Sequence, residues 1–481
     1  DTDQAVRNGL DMEFGSWTNG LSWGASNAYD SYYLARPYLK AIQEGKYTTR
    51  ELDEKVRRVL RLFYRTTMNR HRPHGFLCSD GHYATARQIA EEGIVLLQNR
   101  NRVLPINTQK VRHVLVVGEN AIKMMTVGGG SSSLKVQREI SPLQGLQARL
   151  AKDGVEVDFA RGYVGDVTGA YNGVTTGQNL EDKRSEAELI AEAVEKAKAA
   201  DCVILFGGLN KSDYQDCEGH DRQQYELPYA QDKLITALAA ANKNFVYVNI
   251  SGNAVAMPWR DKVPAIVQGW YLGSEAGEAL TSVLTGDANP SGKLPFTWVK
   301  SLQNVGAHAL NTYPGTWRKE GGSKTEGNII DEEYKEGIYV GYRWADREKQ
   351  RPVFAFGHGL SYTQFAISNL RADKASMTAA DSITFTVQVK NIGQRAGSET
   401  VQLYVHDAKA SVDRPLKELK GFSKVSLQPG ESKDVSITLG KDALSFYDET
   451  TASWKAEPGL FEAWVGNASD NLKLRKSFQL K

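Results

Sequence analysis

Four acids crowd into the segment best equipped for chemistry. Asp213, Asp216, Glu218 and Asp221, with Lys211 and Arg222, stand in Gly207-Gly-Leu-Asn-Lys-Ser-Asp-Tyr-Gln-Asp-Cys-Glu-Gly-His-Asp-Arg222, directly after the apolar run Cys202–Phe206. A carboxylic acid on a glycine-containing loop at a strand's carboxyl end suits proton donation, because a loop tip can reach a pocket built elsewhere. The same residues also fit a solvated loop in which Asp221 and Arg222 make local salt links. Spacing alone leaves these two readings balanced.

A second segment, Asn120-Ala-Ile-Lys-Met-Met-Thr-Val-Gly-Gly-Gly-Ser-Ser-Ser133, follows the branched run Val111–Val117. Gly128–Gly130 let a backbone approach a ligand closely, or simply make a turn. A phosphate cradle is disfavoured, since neither GxxxxGK[ST] nor GxGxxG occurs. There is no GxSxG elbow for a serine nucleophile. Cys217 has only His220 nearby to activate it, which favours a structural thiol. Eight histidines with no HExxH, and three cysteines with no CxxC pair, give no metal site.

The elements that must position these loops follow from periodicity. At 481 residues the chain has room for about three domains. Charged residues make up 24% and the net charge is +2, which excludes wholesale disorder and offers no field for a nucleic-acid polyanion. No apolar run is long enough for a membrane span. Residues 1–75 carry two helical patterns and no strand, one over Ser31–Gln43 and one led by Thr48-Thr-Arg-Glu51 with Leu52, Val56, Val59 and Leu60 on one face. From 82 to 302, a helix over Ala84–Gln98 precedes buried-strand runs Val111–Val117, Cys202–Phe206, Phe245–Ile250 and Ala265–Gly269. These alternate with helices Glu186–Ala200, Tyr229–Asn242 and Gly277–Leu284. That order predicts a parallel α/β sheet covered on both faces, with ligand loops beyond the strands' carboxyl ends. Residues 303–365 lack a period and read as an extended connector. From 366 to 481, strictly alternating runs such as Ser382–Val389 predict a β-sandwich of fibronectin type III shape.

Several stretches resemble glycoside hydrolase family 3. They are Asn8-Gly-Leu-Asp-Met-Glu13, Ala84–Pro105, Glu218-Gly-His-Asp-Arg222, Leu227-Pro228, Ser291–Trp298, Tyr339–Trp344 and Phe354–Tyr362. The resemblance implies a (β/α)8 barrel, an α/β sandwich domain and a fibronectin type III-like domain, with 1–75 as the carboxyl-terminal end of the barrel. It implies a retaining, exo-acting β-glycosidase that removes terminal β-D-glucosyl residues from oligosaccharides or aryl glycosides, without cofactor or metal. β-Xylosidase and N-acetylglucosaminidase activities are the alternatives within the family. A non-catalytic carbohydrate-binding or scaffold protein is the alternative from another class, and the intact Glu218 loop argues against it.

Carried over residue by residue, Glu218 occupies the general acid/base position of the family's Glu-Gly-x-Asp-Arg motif, with Asp216 as runner-up. Ser131 matches a loop that leans over the sugar, though Ser132 and Ser133 are equal to it by chemistry. Asp11, Asp221 and Arg222 are expected to shape structure, and Trp17, Trp23 and Trp270 to pack or stack. The family's nucleophilic aspartate lies in a Ser-Asp-Trp motif before His-Asp-Thr, and this chain opens at Asp1-Thr2. The expectation is a complementary barrel polypeptide that supplies the nucleophile, a raised pKa at Glu218 beside it, and a periplasmic or secreted location.

Overall fold

Runs of branched and aromatic residues with no polar face can be satisfied only by burial on both sides. The computed structural model, which describes residues 1–13, 30, 32–165, 176–318 and 330–481, buries them in that way. The chain forms two units, Asp1–Leu77 and Cys78–Lys481.

In the first unit, helices α1 (Thr2–Arg7), α2 (Arg36–Gln43) and α3 (Thr49–Arg65) surround a small core of Val6, Tyr38 and Ala41. Among its described residues there is no strand. The capping box is present: the Thr48 hydroxyl accepts from Arg50 N at 3.3 Å, and Glu51 accepts from Thr48 N at 3.1 Å. Helix α2 starts later than the apolar pattern suggests, because Pro37 sits in its first turn and presets the helical φ there. Lys55 is buried and donates to Leu10 O at 2.6 Å, while Asp11 makes a two-pronged pair with Arg58. Leu52, Val56, Leu60 and Phe63 on α3 are exposed within this unit.

The second unit opens with α4 (Asp80–Gly93) and continues into a six-stranded sheet. Its strands are β1 (Val95–Asn99), β2 (His113–Val117), β3 (Glu156–Ala160), β4 (Cys202–Gly208), β5 (Phe245–Ile250) and β6 (Ala265–Gln268), in the order β1-β6-β5-β4-β2-β3. Strands β2 to β6 are parallel, whereas β1 runs antiparallel along β6, so the sheet is mixed rather than wholly parallel. The helix expected over Ala84–Gln98 therefore ends at Gly93. Beyond it, Ile94-Val-Leu-Leu is wholly buried and leaves no polar helix face. Alternate residues serve two cores. Leu115, Val203 and Leu205 pack under helices α6 (Glu186–Ala199) and α7 (Gln231–Ala241), and Val114, Val116 and Ile204 under α5 (Pro142–Leu150) and α8 (Ala276–Thr285).

The connector holds more structure than its composition suggests. Phe354 bridges Trp298, Leu360 bridges Leu96, and Tyr342–Arg347 is helical, while 319–329 lie outside the described residues. The last 117 residues from Phe365 build two facing sheets of five and three strands. Ile383, Phe385, Val387 and Val389 point into the core, and Thr384 and Thr386 pair outside with Thr438 and Ser436 at 2.9 and 2.8 Å.

Candidate active site

Both chemistry-bearing loops leave the carboxyl ends of neighbouring strands, Gly128–Ser133 after β2 and Asn210–Arg222 after β4, and strand adjacency brings them together. Gly128, Gly129 and Gly130 all have left-handed φ, at 96°, 77° and 95°. A Cβ on Gly129 would lie 2.7 Å from Lys211 Cε, so a side chain there would collide as well as strain. This tight turn lets Gly129 O accept from Glu218 N at 3.0 Å.

Ser131 then closes on the acid. Its backbone N–H donates to Glu218 Oε2 at 2.7 Å, and its hydroxyl donates to the same oxygen. Ser132 and Ser133 instead turn back on their own loop: Ser132 Oγ reaches Gly128 O, and Ser133 Oγ accepts from Gly128 N at 3.0 Å. Chemistry alone had left the three serines equivalent. The two Ser131 donors hold the exposed Glu218 carboxyl below its ordinary pKa. The rise expected of Glu218 concerns the acid beside the nucleophile; among the described residues the hydrogen bonds to its charged form act in the opposite direction.

Asp216 is held differently. Its Oδ2 accepts from Gly252 N at 2.6 Å and from the Tyr271 hydroxyl at 3.0 Å. Burial and the neighbouring Asp216 charge push the Tyr271 phenol well above its usual pKa, so it remains a neutral donor. Asp221 accepts from the Tyr313 hydroxyl, and that hydrogen bond, with burial, pushes Tyr313 up to about 12. Arg222 donates to Ala254 O at 2.8 Å, as expected of a residue that shapes the loop. His220 Nδ1 meets Asp213 at 2.5 Å, and Cys217 Sγ lies 3.7 Å from the same carboxylate. Burial lowers the Lys211 ammonium, whose stem lies across the glycine turn.

Glu218, Asp216 and Ser131 all line one groove of about 730 Å³, with Lys211, Arg222, Asn253 and Tyr271. Its chemistry is that of a carboxylate facing an open groove of mixed polar and apolar lining, and among the described residues no cluster suits a metal. Trp270 does not present a free face to it: its indole donates to Gly93 O at 2.8 Å and packs edge-on to Phe296. Trp17 and Trp23 lie outside the described residues. The sequence reading passed over Gly252, Asn253, Tyr271 and Tyr313. Gly252, Asn253 and Tyr271 carried a signal, their place just past the carboxyl ends of β5 and β6, and Tyr313 carried none.

Known proteins resemble this arrangement. Residues 94–342 match the glycosyl hydrolase family 3 C-terminal domain, and 399–469 match a fibronectin type III-like domain. β-Glucosidase BoGH3A of Bacteroides ovatus is 46% identical over the whole of this chain and 62% of its own length. The periplasmic β-glucosidase of Salmonella typhimurium is 33% identical, over 96% of this chain and 59% of its own length. Among solved structures, the family 3 β-glucosidase of Bifidobacterium adolescentis superposes with a TM-score of 0.79 at 32% identity, covering 93% of this chain and 60% of its own. DesR, a β-glucosidase from Streptomyces venezuelae solved with D-glucose, gives 0.83 at 26% identity, over 100% of this chain and 70% of its own. The chain thus spans about three-fifths of the length of these two curated relatives. The first match alone takes in more than half of the chain, both groove loops included, and the chain belongs to glycoside hydrolase family 3.

Proposed function

We propose that these residues form part of a retaining, exo-acting β-glycosidase for terminal β-D-glucosyl residues, with Glu218 as the general acid/base. One observation carries the reading: a carboxylate beyond β4 lines the groove with only Oε2 bound, by Ser131, and Oε1 uncommitted among the described residues. The relatives' names as β-glucosidases support the choice of sugar.

In the first step a carboxylate nucleophile attacks the anomeric carbon from one face while protonated Glu218 gives its proton to the departing oxygen. In the second, the Glu218 carboxylate takes a proton from water as that water displaces the enzyme carboxylate. The two carboxyl groups then lie about 5–5.5 Å apart. The nucleophile would come from barrel sequence beyond these 481 residues, which would also cover the exposed face of α3. Arrival of that second negative charge raises the Glu218 pKa and favours the acid form that the first step needs. The periplasmic location named for the Salmonella relative supports a periplasmic or secreted setting.

The test is Glu218→Gln in the active assembly. Turnover of aryl β-glucosides with poor leaving groups should fall about 10²–10⁴-fold, with a much smaller loss for good leaving groups and recovery on adding azide. An equal loss across leaving groups, with no effect of azide, rejects Glu218 as the acid. A panel of nitrophenyl glycosides in the same assay separates glucosidase from xylosidase and N-acetylglucosaminidase activity.

A further inference from the structure

Asp216 sits two residues before Glu218, and among the described residues its carboxylate is held from the turns that follow strands β5 and β6. Gly252 N at 2.6 Å and the Tyr271 hydroxyl at 3.0 Å reach Oδ2, and Asn253 Nδ2 lies 3.4 Å from Oδ1. The backbone N–H of Asp216 donates to Asn210 O at 3.2 Å.

The turn that holds Asp216 is itself fixed from below. Ser251 Oγ donates to Asn253 O at 2.6 Å, Asn249 Nδ2 donates to Ser251 Oγ at 2.7 Å, and Gln268 Nε2 donates to Ser251 O at 2.8 Å. Asn249, Ser251 and Gln268 are all completely buried. A buried, fully paired polar network of this kind resists displacement, because any shift leaves a donor or acceptor unsatisfied.

We propose that Asp216 is a positioning residue, which transmits the rigidity of the β5–β6 polar network to the Glu218 loop and so fixes where the acid's proton is delivered. The inference rests on Glu218 being the general acid/base. One residue separates the two acids, so their Cα atoms can be no more than about 7 Å apart, and a displacement of Asp216 is passed along the loop to Glu218. Both oxygens of Asp216 have protein contacts, Oδ2 with Gly252 and Tyr271 and Oδ1 with Asn253, whereas among the described residues Glu218 is bound through Oε2 alone.

The test compares Asp216→Ala, Asp216→Asn, Glu218→Gln and the double variant Asp216→Ala/Glu218→Gln in the active assembly. A displacement of about 1 Å costs on the order of 10²-fold, so Asp216→Ala should lower kcat on phenyl β-glucoside by that factor with KM nearly unchanged. Its effect on 2,4-dinitrophenyl β-glucoside, whose leaving group needs no proton, should be far smaller. Asp216→Asn keeps an acceptor for Gly252 N and should recover most of the loss. Because Asp216 acts through Glu218, adding Asp216→Ala to Glu218→Gln should cost no more than about threefold further. In the 481-residue chain itself, Asp216→Ala should speed amide hydrogen exchange over residues 213–222 while β4 and β5 stay protected.

Equal losses on both substrates, exchange that spreads into β4 and β5, or full multiplication of the losses in the double variant would each overturn the inference. If Glu218→Gln behaves as removal of the acid while Asp216→Ala is silent, only the inference falls. If azide rescues Asp216→Ala and not Glu218→Gln, Asp216 is the acid, and both the inference and the Glu218 reading fall.

Discussion

Both Ser131 donors converge on one oxygen of Glu218, which decides the sign of a pH effect. Hydrogen bonds to a carboxylate stabilise its charged form, and the Glu218 pKa is lowered accordingly. Ser131→Ala deletes the hydroxyl and keeps the N–H, so the pKa should rise toward the ordinary glutamate value. Carboxyl ¹³C shifts of the 481-residue chain, followed through a pH titration, read this directly. In the active assembly the alkaline limb of kcat/KM reports loss of the protonated acid, so it should move to higher pH by the same amount. An unmoved titration would mean that the Ser131 hydroxyl does not act on Glu218. Ser131 and Glu218 were singled out by their match to family motifs, since spacing and chemistry alone left three serines and several acids open. Tyr271 and Tyr313 were not singled out, since their partners Asp216 and Asp221 lie 55 and 92 residues away and only the folded chain brings them close.

The same division separates the elements. Strands β4 and β5 announce themselves as unbroken apolar runs, because both of their faces are covered. Edge strand β3, Glu-Val-Asp-Phe-Ala, alternates over too few residues to stand out, and β1 extends the apolar face of α4 so closely that the two read as one helix. In the sandwich, Ser382–Val389 was plain from strict alternation, whereas Phe365–Ala372 and Glu418–Leu427 are half-exposed and were missed. Phe385 anchors this layer, almost wholly buried and edge-on to Phe478 at 5.2 Å. Residues 366–481, expressed alone, should give a β-type circular dichroism spectrum and one cooperative melt, since their core is closed within the two sheets. Phe385→Ala should then cost about 3–5 kcal/mol, enough to leave much of the isolated sandwich unfolded by chemical denaturation at room temperature. A non-cooperative melt of the unsubstituted fragment would show that the sandwich needs its contacts with the connector, such as Gln402 Nε2 to Gly357 O.

At the scale of the molecule, the question is what covers α3. Leu52, Val56, Leu60 and Phe63 lie on successive turns and are 38–46% exposed within the first unit. At about 25 cal/mol per Å² of apolar surface, leaving such a face wet costs several kcal/mol, which is comparable with the stability of a whole domain. The α/β sheet and the sandwich each close a core of their own, whereas these four residues form an exposed apolar row along a single helix of the first unit. We expect it to pack against barrel strands and helices that carry the nucleophile, of about 250 residues if the barrel is of ordinary size. Active material should therefore contain such barrel sequence together with residues 1–481. The chain alone, its mass verified, should not turn over aryl β-glucosides. Ordinary enzymatic turnover by that chain alone would mean that the nucleophile lies among residues 1–481, and the division of catalytic labour proposed here would be wrong.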